Sequence, residues 1–376
     1  MTTQSTAPLH AIQTHGALAS AIPLIVACPE IALDTEFHAE RRYHPELMLV
    51  QISAPDGTAW LIDPLSVDIT PLVTAIADSP TLVHAGSNDL AILWREAHTA
   101  PTTVFDVQMG AGMLGLGYPT RLGTLTQHFL GEEIDKKDTL SDWSHRPLTR
   151  SQLHYAALDA RTLFPLASII REQLKERGRL HWAEEESLAM GQAAQQESTA
   201  EHTWRQWDIA SVLDEQTQKV LYSLTEWRNQ KGRDKNQPAP FILSNGIALD
   251  IARRKPVTLE ELSANRRIPQ GLIRRIGQEI ISVVQYAVSN EFPMPPVPTP
   301  VERKVAATLQ IWAQAISTST DIAPQLLIPT ELGFRIAAEG STVLDGWRAE
   351  AFGSDLEAFL KGSTSIFIDE TGPTIR

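Results

Sequence analysis

The chain has one cysteine, Cys28, among 376 residues. That excludes an intramolecular disulfide framework and fits a reducing compartment. Long apolar runs are also missing. The longest, AIPLIVACPEIAL, is broken by Pro23, Pro29 and Glu30 and is too short to span a bilayer, so no membrane role is expected. The N-terminal MTTQSTAPLHAIQTHG has no basic patch ahead of an apolar stretch. A signal peptide is therefore not expected, and a cytoplasmic location is. A positive excess is absent too, since the net charge of −13 argues against a non-specific binder of polyanions. With 43% hydrophobic and 20% charged residues, the composition is that of a soluble globular protein. The length exceeds what one core organises, which points to two or three domains.

Charge is unevenly distributed. Residues 1–212 carry 14 Lys+Arg against 26 Asp+Glu, residues 213–292 carry 12 against 9, and residues 293–376 carry 6 against 10. The middle segment is the candidate surface for phosphate backbones. The first half alternates β-rich runs (IPLIVAC, EIALDTEF, MLVQISA, AWLIDP, TLVHAG) with helical patterns (TPLVTAIADS, SNDLAILWREA and the long TRSQLHYAALDARTLFPLASIIREQLKERG). This predicts a mixed α/β sheet flanked by helices. After about residue 212 strands are no longer expected, and small helical bundles are. Two linkers stand out: the polar GQAAQQESTAEHT (191–203), and FPMPPVPTP (292–300), whose prolines make a semi-rigid spacer. The helical half repeats itself. Trp227 and Trp312, Ile251-Ala252 and Ile336-Ala337 lie 85 apart, and Pro240 and Pro324 lie 84 apart, which suggests a diverged duplication. The first copy holds RNQKGRDKNQ and RRK where the second is neutral, so nucleic-acid binding is expected of the first.

Three acidic motifs carry the chemistry. In IALDTEFHAE, strand alternation puts Asp34 and Glu36 on one face, where two carboxylates repel unless a cation sits between them. In TLVHAGSNDL a turn leads to a helix capped by Ser87 or Asn88 with Asp89 in its first turn. In YAALD, Tyr155 and Asp159 project from one helix face at i, i+4. Each motif alone has a bland reading as solvated surface acid. No His/Cys cluster accompanies them, and hard oxygen donors suit Mg²⁺ or Mn²⁺ rather than zinc.

Taken together, these motifs resemble the DEDD exonuclease superfamily, in its tyrosine-bearing branch. LDTEF, IDP at 62–64, HAGSNDL, DW-x₂-RPL at 142–148 and YAALDA follow the order and spacing of ribonuclease D. The segment after residue 212 resembles that family's helicase-and-ribonuclease-D C-terminal (HRDC) module, and a second, diverged copy follows it. The resemblance implies a ribonuclease H-like exonuclease domain over residues 1–203, a basic HRDC-type helical domain over 204–291, and a diverged HRDC-like domain over 292–376. It implies a monomeric 3′→5′ exoribonuclease that uses two divalent ions, Mg²⁺ or Mn²⁺, and releases nucleoside 5′-monophosphates from RNA, with tRNA precursors as substrate. By the same resemblance, Asp34, Glu36 and Asp159 hold the nucleophile-side ion, and Asp34 reaches the second ion with Asp89. Tyr155 orients or helps to deprotonate the attacking water. The competing readings are a DNA 3′→5′ exonuclease, which uses the same carboxylates, and a non-catalytic RNA-binding adaptor.

Further contacts are expected around this core. Phe37 and His38 follow the acidic pair and could meet the terminal nucleotide, while His84 reads as a structural histidine. Lys136, Lys137, Arg146 and Arg150 precede the last motif and are candidates for phosphate contact, whereas Trp143 reads as loop packing. In the basic module Arg228, Lys231, Arg233, Lys235, Arg253, Arg254 and Lys255 are the candidates for backbone contacts.

Overall fold

Strand β2 (Ile31–His38) sits inside a six-stranded mixed sheet, with an apolar first half and the acidic pair in its second. The order is β1-β4-β3-β2-β5-β6, with β1 Leu9–Ile12, β3 Glu46–Ser53, β4 Ala59–Ile62, β5 Thr81–Val83 and β6 Val104–Asp106. The β2–β3 and β3–β4 pairs are antiparallel, and the pairs β1–β4, β2–β5 and β5–β6 are parallel. The structure is a computed structural model, and it describes residues 7–133, 141–196, 204, 207, 210, 212–370 and 372–376.

Helices α1 (His15–Val26) to α5 (Leu122–Leu130) surround the sheet: α2 Thr70–Ala75, α3 Ser87–Ala97 and α4 Val107–Gly112 lie between. Then come the long α6 (Arg150–Glu176) and α7 (Leu180–Ala194). Helix α6 starts at a capping box, in which Thr149 and Gln152 satisfy each other's backbone and side-chain groups. Its fully buried Ala156, Ala157 and Ala160 let its backbone come close to β2, β3 and β4.

Two local expectations fail. IPLIVAC is not a strand: residues 22–26 form the end of helix α1 and Ala27 its C-cap; the Thr14 hydroxyl caps the helix start, and buried Leu18, Ala21 and Ile25 recur at helical spacing. The region after residue 212 is not strand-free, because β7 (Ile366–Asp369) and β8 (Gly372–Ile375) form an antiparallel hairpin.

The chain divides into two compact units rather than three consecutive domains. One comprises residues up to His38, Glu46–Gln196 and Lys304–Arg376; the other comprises Ala39–Pro45 and Glu197–Arg303. The second unit is helical: α8 Glu215–Lys235, α9 Ala239–Ile242, α10 Asn245–Arg254, α11 Leu259–Ala264 and α12 Gln270–Ser289. The chain then continues as α13 Pro300–Thr320, α14 Pro324–Leu327, α15 Thr330–Glu339 and α16 Gly346–Leu360. Helices α13, α14 and α15 begin and end 85 positions after α8, α9 and α10 respectively, so the repeated text corresponds to a repeated structure. The copies pack differently. Leu309, Trp312 and Leu327 of the second copy are buried in the same apolar core as the sheet, whereas Leu221, Ile251 and Ile280 belong to a separate core. A third domain over 292–376 is therefore replaced by a helical segment that shares the first unit's core. Among the described residues no helix is long and apolar enough to cross a membrane.

Candidate active site

The site lies on the sheet face covered by α6. Asp34 on β2 stands opposite Gln51 on β3, and Glu36 stands opposite Leu49. The register then slips between Glu36 and Phe37, a bulge that ends the regular alternation just beyond the two acids. From above, α6 lowers Asp159 onto the pair. One carboxylate oxygen from each of Asp34, Glu36 and Asp159 can be chosen so that all lie within 4.8 Å of one another. One turn earlier on the same helix face, the Tyr155 hydroxyl donates to Asp159. Gln51 is fully buried, and with its amide turned to donate, its nitrogen is 2.7 Å from Asp34 Oδ2 and 3.3 Å from the Ala156 carbonyl.

Asp89 arrives from a strained turn. Ala85 takes the left-handed conformation at φ 55°, and Gly86, rather than Ser87 or Asn88, is the N-cap of α3. A Cβ on Gly86 would lie 2.6 Å from Val83 Cγ2, so only glycine fits. Asp106 holds this turn from β6: its Oδ2 accepts from the Gly86 N–H at 3.1 Å, while Oδ1 caps α4. The buried Asp89 then accepts a hydrogen bond from the Thr35 hydroxyl, between the two strand acids. Asp89 is outside the three-carboxylate group and reaches it through charge.

The electrostatics are those of a site short of positive charge. Burial, then Asp89, Asp159 and Glu36, hold the Asp34 carboxyl well above the usual range. Burial and Asp159 push Glu36 up to about 8, with a hydrogen bond from Gln51 opposing them. Burial raises Asp89 to about 7 against the Thr35 hydroxyl bond, and raises Asp159 to about 6 against the Tyr155 bond. Without a cation these groups hold their protons more tightly than ordinary carboxyls do, because burial and like charges this close both disfavour ionisation. The all-oxygen donor set fits hard divalent cations.

The outer candidates divide sharply. Phe37 packs against the core, and His38 lies at the site's edge with its Nε2 4.0 Å from Asp142. His84 is structural, as expected, bonded to the Thr120 carbonyl at 2.9 Å. Arg150 is exposed in the first turn of α6, and Lys136 and Lys137 lie outside the described residues. Arg146 is engaged within the protein. Its guanidinium is spent inside the protein on Asp63 (2.7 and 2.9 Å) and on the carbonyls of Met48, Trp143 and His145. Four residues of the basic module are likewise engaged by groups of their own unit. Arg228 is 3% exposed, lies over Trp207 and donates to the Leu243 carbonyl and Asn245. Lys231 pairs with Glu279 at 2.5 Å, and Arg233 lies over Tyr43 and donates to its hydroxyl. Lys255 donates to Thr217 and faces Asp214. Lys235, Arg253 and Arg254 remain exposed, and so are Arg266, Arg274 and Arg275, which sequence reasoning passed over. Gln51, Thr35, Asp63 and Asp106 were also missed. No periodicity marks them, although Thr35 and Asp63 lie within the quoted motifs LDTEF and IDP.

A mixed sheet carrying this carboxylate cluster, followed by a helical module, defines a 3′→5′ exonuclease with an HRDC domain. Residues 9–175 match the family model described as 3′-5′ exonuclease, and residues 217–284 match the HRDC domain. The chain belongs to the ribonuclease D family and is a hydrolytic 3′→5′ exoribonuclease. It is 31% identical to ribonuclease D of Sphingobium indicum over 92% of each chain, and 29% identical to that of Nitrobacter hamburgensis over 97% of this chain and 98% of the relative. Among solved structures it resembles Escherichia coli ribonuclease D, an exoribonuclease involved in structured RNA processing. The TM-score is 0.83 and the identity 28%, covering 94% of this chain and 99% of the other. A Bifidobacterium adolescentis protein at 22% identity and TM-score 0.66 shares the fold. The family and the acidic cluster imply divalent metal ions.

Proposed function

We propose that this exoribonuclease trims 3′ extensions from structured RNA, tRNA precursors in particular, with two divalent cations, Mg²⁺ or Mn²⁺, held by Asp34, Glu36, Asp89 and Asp159. Convergence of three carboxylates within 4.8 Å, from two elements far apart in sequence, is the observation that carries this reading. Cations bound there would supply the positive charge that stabilises the phosphoryl transition state and eases deprotonation of water. The chain's own groups do the rest. Gln51 fixes the rotamer of Asp34, Thr35 fixes Asp89, and Tyr155 fixes Asp159. With its ordinary value near 10, a phenol orients the attacking water better than it deprotonates it at neutral pH. Asp34, central to the cluster, would be the ligand common to both cations.

Exposed Arg253 and Arg254, joined by Lys235, Arg266, Arg274 and Arg275, are the module's contacts to RNA backbone, and the buried or paired cations nearby are its frame. The test is incubation of matched 3′-extended RNA and DNA with and without EDTA, alongside Asp34→Asn and Asp159→Asn. A metal-dependent ladder of RNA shortening from the 3′ end, lost in both variants by about 10²-fold or more, is expected. Full activity of either variant sinks the ligand assignment, and preferential trimming of DNA sinks the RNA assignment.

A further inference from the structure

We propose that Arg146, clamped to Asp63, is a positioning residue for the Tyr155 phenol; this rests on the reading of Tyr155 given above. A guanidinium has five N–H donors, and here all five are used. Nε and Nη2 make a fork on Asp63 Oδ2 and Oδ1 at 2.7 and 2.9 Å, and Nη2 also donates to the Met48 carbonyl at 2.7 Å. Nη1 donates to the Trp143 and His145 carbonyls at 2.7 and 2.9 Å. Asp63, just past the end of β4, is 2% exposed and is itself held by the Leu65 N–H and the Ser66 hydroxyl. One side chain thus fastens the 142–148 loop to β3 and to the end of β4.

That loop governs where Tyr155 stands. Trp143 is 3% exposed, and its ring centroid is 6.2 Å from that of Tyr155. Its indole Nε1 finds no acceptor among the described residues, so packing and the clamped backbone alone set its orientation. On the same loop the Asp142 carbonyl accepts from Gln152, the residue that completes the capping box one turn ahead of Tyr155. Loosening the clamp frees both the tryptophan beside the phenol and the helix end that carries it. A phosphate contact is the competing role, and it would require dismantling the fork.

The two roles separate in Arg146→Lys, which keeps the charge but not the fork. Steady-state kinetics on a 3′-extended single-stranded RNA are measured for full-length wild type, Arg146→Lys, Tyr155→Phe and the double variant. Arg146→Lys is expected to lower kcat about tenfold or more with KM within about threefold, and the double variant to be no slower than Tyr155→Phe within about twofold. Losses that multiply in the double variant, an unchanged kcat, or a loss confined to KM would overturn the proposal. If Tyr155→Phe is silent, the role assigned to the phenol fails and the proposal with it. Impaired Tyr155→Phe with multiplying losses overturns only the proposal. Should Arg146→Lys fail to fold in thermal melts, Asp63→Asn, which keeps one acceptor for the guanidinium, is judged by the same criteria.

Discussion

At Asp34, four carboxylates compete for charge on a half-buried strand, and the protein side of the site leaves that competition unresolved. Asp34, Glu36, Asp89 and Asp159 all bind their protons more tightly folded than unfolded, where carboxyls titrate near about 4. The sign follows from linkage. The stabilisation is fully present below about pH 4 and is lost as pH rises through the folded values, about 6 to 8. In EDTA, the melting temperature of the unit that carries the site should therefore fall between about pH 5 and 8, and Mg²⁺ should restore it at pH 8 with proton release. Asp34→Asn should raise the EDTA value at pH 8 by a few degrees, about 2–4 °C for each kcal/mol of relieved repulsion. Calorimetry showing a rise with pH in EDTA would exclude this electrostatic picture. That Asp34 and Glu36 share a face follows from a period of two. That Gln51 supports Asp34 does not, because strand pairing brings them together across 17 residues of chain.

At the scale of elements, the α3 turn and the basic helices behave differently from their sequence signatures. HAGSNDL announces a helix start correctly, yet the cap is Gly86, because the chain passes Val83 with no room for a side chain. Gly86→Ala should cost about 1–3 kcal/mol by overpacking and lower activity by displacing Asp89. Denaturant melts and turnover measured together check both effects, and an alanine variant with wild-type stability would contradict the clash. In α8 the run RNQKGRDKNQ looks uniformly basic, but the helix turns Arg228 and Lys231 into the unit, and only Lys235 remains exposed. Charge reversal of Arg253 and Arg254 should weaken RNA binding and reduce the slope of log K against log salt by about 1–2. Short single strands should still be cleaved. The same reversal at Arg228 should instead unfold the helical unit, since it would bury a carboxylate beside carbonyls.

Across the whole molecule the repeat shows how similar helices reach different ends. Copies offset by 85 residues keep their helix boundaries. Where the first goes on to α11 and α12, the second goes on to one helix, α16, joined to α7 of its own unit by paired charges. Arg348 makes a fork on Glu186 at 2.7 and 2.8 Å, the Trp347 indole donates to the same carboxylate, and the Trp347 N–H sits on Glu185. Glu186→Ala leaves this guanidinium, 16% exposed, with only the Leu326 and Leu327 carbonyls and no counter-charge, and should cost about 1–3 kcal/mol. Thermal melts decide the point. An unchanged transition would mean that the C-terminal segment is held by its apolar residues alone.

The amino-acid order by itself placed Asp34 with Glu36 and Tyr155 with Asp159, and it carried the repeat, because these depend on local period and spacing: two for a strand, three to four for a helix, 85 for the repeat. The fold class and the grouping of the acids into one proposed site came from the motifs' resemblance to a known family. Tertiary structure alone decided three further points. IPLIVAC became helix rather than strand, with Ile25 in the core and Leu24 and Val26 left exposed. Arg146 and Arg228 were drawn into hydrogen bonds inside their own units. Residues from Lys304 onward joined the catalytic unit's core. In each case the outcome turned on burial, and burial depends on which distant segments meet, something local sequence pattern does not record.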